Sequence, residues 1–147
     1  MERSLVLLKP DAIQRGLVGQ LIDRIEKKGL KIVGMKMMEV EEELAREHYA
    51  EHLDKEFFSD LFRFITSSPI VAMVVEGKQA ISVLRKMMGA TNPFEADPGT
   101  IRGDYGLDLT KNLIHGSDSK ESAEREIGLF FTAEELLSYD LTVGQWH

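Results

Sequence analysis

Ser4-Leu5-Val6-Leu7-Leu8, running straight into Lys9-Pro10-Asp11, is the stretch from which the fold is read. An almost wholly apolar run without alternation describes a strand buried on both faces or set in the centre of a sheet, and the proline turn ends it. Downstream, Val18, Leu21, Ile22 and Ile25 recur at helical spacing, with Asp23, Arg24, Glu26 and Lys27 facing away and Gly29 where a C-cap belongs. Strand is therefore followed by amphipathic helix.

The same reading extends along the chain. Leu30 to Val40, rich in Ile, Val and Met, predicts a second strand, and the acidic run Glu39 to Glu43 behind it reads as a solvated helix start. Glu41 to His52 and Phe57 to Thr66 predict two short helices. Pro69 opens a β-branched strand over Ile70 to Val75, and Gln79 to Met88 places Ile81, Leu84 and Met88 on one helical face. Residues 89–112 hold Gly89, Pro93, Pro98, Gly99, Gly103 and Gly106 with little periodicity, which predicts a long functional loop. Leu113-Ile114-His115 is a brief strand, and Ser119, Glu121 and Ser122 announce a helix through Ile127.

The order β-α-β-α-α-β-α-loop-β-α is the split β-α-β order of a ferredoxin-like α+β sandwich, with extra helices and one long loop insertion. It predicts a four-stranded antiparallel sheet with helices on one face. Fold alone leaves function open, because this sandwich carries enzymes, nucleic-acid binders and ligand domains.

Composition narrows the choice. The length of 147 residues, with 43% hydrophobic and 29% charged residues and no linker-like stretch, suits one domain over 1–147. A net charge of −7 disfavours a nonspecific grip on nucleic acid, so any phosphate site is local. The apolar stretches Leu5 to Leu8 and Ile70 to Val75 fall short of a membrane span, and the absence of cysteine fits a reducing compartment; the cytoplasm is expected, with no membrane partner.

The sharpest chemical signal is His115-Gly116-Ser117-Asp118-Ser119. A neutral imidazole keeps a lone pair that can attack phosphorus, the glycine leaves room for a phosphate, and Ser117 and Asp118 add a hydroxyl and a carboxylate. A packed histidine at a strand end is the alternative. Phosphoryl transfer also needs groups that position the phosphates and stabilise their charge, for which Lys9, Arg85, Thr91, Arg102 and Asn112 are candidates. Lys9 stands out because it ends a buried strand. No G-x-x-x-x-G-K-[ST] loop and no G-x-G-x-x-G after a strand is present, Gly16 and Gly19 lacking the required companions. His48 and His52 share i, i+4 spacing but lack a third clustered ligand, so they read as helix-surface residues, and His147 is terminal.

Over its full length the chain resembles the nucleoside diphosphate kinase family. The resemblance is carried by Lys9-Pro10-Asp11, Gln14-Arg15-Gly16-Leu17-Val18-Gly19, Thr91-Asn92-Pro93, Pro98-Gly99-Thr100-Ile101-Arg102-Gly103-Asp104 and Asn112 through Ser119, in the family's order and spacing. It implies a ping-pong kinase that moves the γ-phosphate of a nucleoside triphosphate such as ATP to a diphosphate through phosphorylated His115. Glu126 would accept a hydrogen bond from the other ring nitrogen, and Ser117 would bond to Glu126 beside the transferred group. Lys9, Tyr49, Arg85, Thr91, Arg102 and Asn112 would surround phosphates and sugar, with Lys9 and Asn112 at the ribose. Phe57 would stack on the base with Leu109 on its other side, giving broad base specificity.

The resemblance also implies Mg²⁺ on the phosphates, with Asp118 holding it at most through water and no direct protein ligand. A homo-oligomer is implied, a hexamer rather than a tetramer. Ala12, where relatives commonly have glycine, questions the turn beside Lys9, and Glu56, where many have proline, touches the loop carrying Phe57. Two competing readings make different demands. A non-catalytic ligand or RNA-binding domain needs exposed sheet aromatics and a basic face, and a phosphocarrier leaves Tyr49, Phe57 and the arginines without a task.

Overall fold

The computed structural model of the chain describes residues 1–52 and 58–147. Its sheet is built outward from β1 (Glu2–Leu8), which is paired on both sides. β3 (Ile70–Gly77) runs antiparallel along its whole length, from Glu2 opposite Gly77 to Leu8 opposite Val71. On the other side β4 (Ile114–Gly116) pairs antiparallel, Leu7 facing His115 and Leu8 facing Ile114. β2 (Lys31–Met38) joins β3 at the far edge, giving the four-stranded order β2-β3-β1-β4. This is the antiparallel sheet of the ferredoxin-like order read from the sequence.

Strand alternation divides the core in two. Val6, Leu8, Val71, Met73 and Val75 point to one face, where they meet Leu21 and Ile25 of α2 (Val18–Lys28) and Ala80, Leu84 and Met88 of α5 (Ala80–Met88). Leu5, Leu7, Ile70, Ala72 and Val74 point to the other, where they meet Ala45 of α3 (Glu42–His48), Ile65 of α4 (Phe58–Ile65) and Phe130 of α7 (Lys120–Phe130). Helices cover both faces, not one as the order of elements suggested. The cause lies in β1 and β3: an unbroken apolar strand exposes a hydrophobic row on each side, and each fully buried leucine contributes about 1.5–3 kcal/mol only if its own side is covered.

Local chemistry explains most element ends. Gly29 closes α2 in the left-handed conformation at φ 101°, as its position predicted, behind Lys27 and Lys28 at the negative end of the helix dipole. The Ser119 hydroxyl caps α7 by accepting from the Ser122 amide, and the helix runs on past Ile127 to Phe130. The predicted helix from Glu41 is shorter: α3 ends at His48, and a 3₁₀ turn follows over Ala50–His52. A short helix absent from the sequence reading, α1 (Pro10–Gln14), starts with proline at its first turn. Ala12 is fully buried within it and its amide donates to the Lys9 carbonyl at 2.9 Å, so alanine leaves the turn beside Lys9 intact. The long loop is partly ordered into a 3₁₀ turn at Pro93–Glu95 and α6 (Ile101–Tyr105). Phe57 and Glu56 lie outside the described residues. No helix among the described residues is long and apolar enough to cross a membrane.

Candidate active site

Register decides which way His115 faces. It sits opposite Leu7 on β4, so it points to the face covered by α3 and α7, whereas Ile114 goes into the core under α2 and α5. There its Nε2 lies 3.1 Å from Oε1 of Glu126 on α7. The same Glu126 oxygen accepts the Ser117 hydroxyl at 2.7 Å, and the Ser117 Oγ in turn accepts the Leu5 amide at 3.1 Å. Ser117 is fully buried, so its hydroxyl is committed to tying Glu126 to the central strand. Burial alone would raise the Glu126 carboxyl, but its contact with His115 and the hydrogen bond from Ser117 outweigh it and hold the group below its usual range. An ionised acceptor at Nε2 places the imidazole proton there and leaves the lone pair on Nδ1.

Gly116 has a different reason from the one proposed for it. A Cβ there would come within 2.6 Å of Met88 Sδ and 3.0 Å of Leu84 Cδ2, so this glycine lets α5 close against β4 rather than making room for a ligand.

Lys9, Thr91, Asn112 and Arg102 gather at the start of β4, while Arg85 lies nearer its end at Gly116. Lys9 Nζ donates to Asn112 Oδ1 at 2.7 Å, and Asn112 Nδ2 donates to the Thr91 carbonyl at 2.9 Å. Arg102, buried on α6, donates to the carbonyls of Asn112, Gly89 and Ile114 at 3.2, 3.1 and 2.6 Å. Its guanidinium therefore braces the loop while keeping further N–H donors. Arg85, exposed in the last turn of α5, reaches the Gly116 carbonyl at 3.4 Å. Burial, then the charge of Arg102, lowers the Lys9 pKa to about 8 against a smaller opposing pull from Asp11. Burial, then Arg85, lowers Arg102 to about 10. Lys9, Arg102 and Arg85 lie close enough to repel one another, and Asp11 opposes them only weakly at Lys9, so the cluster is left with a positive excess that suits a polyphosphate.

Tyr49 follows α3, its ring 4.7 Å from His48 and 6.4 Å from Phe58, and burial pushes its hydroxyl up to about 12. Leu109 is 58% exposed and Asp118 is exposed.

Two residues of the site were not found from the sequence. His48 is no surface residue: it is 8% exposed, its ring edge-on to His115 at 4.8 Å and to Phe130 at 5.3 Å. Burial, then the charge of His115, lowers its pKa to about 3, so it is a neutral ring beside the candidate nucleophile. The signal was available, since Leu44, Ala45 and His48 share the i, i+3/i+4 face that turns inward. His48, His115 and Glu126 also form the three-membered cluster that sequence spacing did not suggest, one ligand atom from each lying within 4.8 Å of the others. Two imidazoles and one carboxylate are a poor match for Mg²⁺, which prefers oxygen ligands and keeps its waters. Asp11 is the second missed residue: its Oδ2 accepts the Leu113 amide at 3.0 Å, across a sequence separation of 102.

Clefts of about 650 and 690 Å³ lie elsewhere, one under the C-terminal tail by Gly29, Lys78 and His147, the other between Arg3 and α7. Neither includes a predicted site residue; the convergence of chemistry, not cleft size, marks the site.

A ferredoxin-like sandwich that presents a carboxylate-oriented histidine beside clustered cations has the makings of a phosphotransferase. A family model described as nucleoside diphosphate kinase matches residues 2–136. The nucleoside diphosphate kinase of Carboxydothermus hydrogenoformans is 60% identical over 99% of this chain and 98% of its own. That of Listeria monocytogenes is 58% identical over 99% of both chains. The solved structure of a halophilic nucleoside diphosphate kinase from Halobacterium salinarum in complex with CDP superposes with a TM-score of 0.97 at 56% identity, covering 99% of this chain and 97% of that one. The chain belongs to the nucleoside diphosphate kinase family. Its activity is transfer of the γ-phosphate of a nucleoside triphosphate to a nucleoside diphosphate.

Proposed function

We propose that this transfer runs through His115 by a ping-pong mechanism. The observation that carries the reading is the 3.1 Å contact between His115 Nε2 and Glu126, which leaves Nδ1 as the attacking atom. Nδ1 bonds to the γ-phosphorus as the bond to the β-γ bridging oxygen breaks, and the diphosphate departs with that oxygen. A second diphosphate then attacks the phosphorus with a β-phosphate oxygen, the N–P bond breaks, and the imidazole lone pair returns. Glu126 holds the Nε2 proton and offsets the positive charge that develops on the ring, while Ser117 keeps Glu126 in place. Lys9, Arg85 and Arg102 stabilise charge on the phosphates; Lys9 and Asn112 meet the ribose; Tyr49 and Thr91 complete the cradle. Mg²⁺ supplies charge neutralisation along the phosphates, with Asp118 at most holding one of its waters.

The base is expected between Phe57 and the exposed Leu109, held by contact area rather than edge recognition. The CDP bound by the Halobacterium relative supports a pocket open to pyrimidines as well as to ATP. We further propose that residues 1–147 act as one domain in the cytoplasm, without nucleic-acid or membrane partners, as a homo-oligomer, a hexamer rather than a tetramer.

The test is intact mass after brief incubation with Mg·ATP, followed by a different diphosphate. One acid-labile phosphoryl group that disappears as the new triphosphate forms is the expected result. His115→Ala is expected to abolish turnover with nucleotide affinity kept within about tenfold. Turnover by that variant, or an adduct at another residue, would overturn the assignment of His115.

A further inference from the structure

Leu113 is the most strained described residue near the site. A bulky, fully buried side chain sits there at φ 76°, a region that L-residues with large side chains rarely enter. The Ile114 amide donates to the Asn112 carbonyl at 2.9 Å across it, so Asn112-Leu113-Ile114 is a γ-turn of the rare, strained hand. Such a turn persists only where its surroundings hold it.

The holding groups are visible. The Leu113 amide donates to Asp11 Oδ2 at 3.0 Å, and the Leu113 carbonyl accepts the Lys9 amide at 2.8 Å. The strand end at Lys9 to Asp11 thus grips both polar groups of Leu113. On the opposite side Arg102 braces the carbonyls of Asn112 and Ile114. Asp11 is buried, facing the backbone amides of Asp11, Ala12 and Leu113, and among the described residues its Oδ1 has no hydrogen-bond partner. A carboxylate kept out of water with one oxygen unpaired is a poor choice for stability alone. The turn it grips lies between the Asn112 that receives Lys9 and the strand that carries His115, so a shift at Leu113 moves both.

We propose that Asp11 is a positioning residue for phosphoryl transfer: its carboxylate oxygen holds the Leu113 γ-turn and thereby fixes the Nδ1 of His115 relative to the Lys9–Asn112 end of the phosphate cradle. The inference rests on His115 as nucleophile. It makes the placement of one acceptor oxygen decisive, and the negative charge incidental. Asp11→Asn keeps an oxygen at the right reach without the charge, whereas Asp11→Glu keeps the charge and displaces the oxygen by one methylene.

The experiment is single-turnover phosphorylation of His115 by excess Mg·ATP on the full chain, read by quenched-flow intact mass at a temperature well below every variant's Tm. Nucleotide Kd and Leu113 amide exchange are measured alongside. Leu21→Ala, a core truncation away from the site, controls for lost stability and is expected to leave the rate within about twofold. Asp11→Asn is expected within about threefold of wild type with the Leu113 amide still protected. Asp11→Glu is expected to slow phosphorylation at least about tenfold, with a smaller change in Kd and faster amide exchange, because sub-ångström placement of reacting atoms dominates such rates. An Asp11→Glu variant as fast as wild type, or an Asp11→Asn variant as slow as Asp11→Glu, overturns the proposal. A wild-type chain that takes up no phosphoryl group overturns the His115 reading and this inference with it; a wild type that reacts while both variants keep pace overturns only the role of Asp11.

Discussion

Lys9 carries a charge whose ordinary titration lies far above neutrality, but burial and Arg102 bring it down to about 8, inside the working range of an enzyme. In the free site the ammonium is therefore lost as pH rises through about 8, and bound phosphates oppose that loss. kcat/KM, which reports the free enzyme, is expected to fall above about pH 8 while kcat holds to higher pH. A kcat/KM profile flat to about pH 10 would contradict this role. His48 gives a second pH signature. Its pKa is lowered from 6.5 to about 3 on folding, so between those values the unfolded chain binds a proton that the folded chain refuses, and stability falls on acidification. His48→Phe keeps an edge-on ring and removes the titration. Its Tm is expected to drop less than that of wild type between about pH 7.5 and about pH 5, and an identical drop in both proteins would refute the assignment. The candidate residues read from the sequence share a local cue: His115, Lys9 and Asn112 border short apolar strands, and Arg102 lies in a loop too long to be idle. His48 has no such cue, and Asp11, though it stands at the same strand end as Lys9, reads only as part of the turn. The pairing of His48 with His52 at i, i+4 disguised an inward face, and the partner of Asp11 lies 102 residues away.

At the scale of elements, α6 matters because it carries Arg102, and its attachment to α2 is a small polar network. Arg24 pairs with Asp104 at 2.5 Å, donates to the Gly99 carbonyl at 3.1 Å and lies over the Tyr105 ring at 5.1 Å, while the Gly99 amide donates to Asp104 at 2.8 Å. One exposed ion pair contributes little, but a network with a backbone clamp fixes a loop. Asp104→Ala is expected to loosen α6 and raise nucleotide KM about three- to tenfold with kcat within about twofold, an effect that added salt partly reproduces in wild type. An unchanged KM would mean that Arg102 is held by its own three carbonyl bonds alone. The sheet order was legible because strands with apolar runs and helices with clean periodicity alternate along the chain. The order of elements does not give the second helical layer, but the composition of β1 and β3 does: strands without alternation require cover on both sides. The short helices α1 and α6 escaped for want of a full period, being held by a proline start and a threonine cap, respectively.

For the whole molecule, the proposed assembly of copies can be tested at the edge strand β2. The tail crosses its start, Leu137 donating to the Val33 carbonyl at 2.8 Å beside the bulge between Ile32 and Gly34. Beyond that point β2 is the edge of the sheet among the described residues, and Met35 and Met37 are 54% and 64% exposed. An edge that is both unpaired and apolar is a template for another strand, and monomeric proteins usually blunt it with charge. Lys36 stands between the methionines but is drawn to Glu135 of the tail at 3.0 Å, so its charge does not guard the edge. A second copy of the chain, presenting the same edge about a two-fold axis, would cover both methionines and extend the antiparallel pairing. Met35→Lys with Met37→Lys places like charges across such an axis while leaving the site residues untouched. Light scattering after size exclusion is expected to show the wild type as an oligomer and the double variant at a smaller assembly, with His115 still phosphorylated by Mg·ATP in a single turnover. A double variant with the wild-type mass would move the contact between copies to another surface.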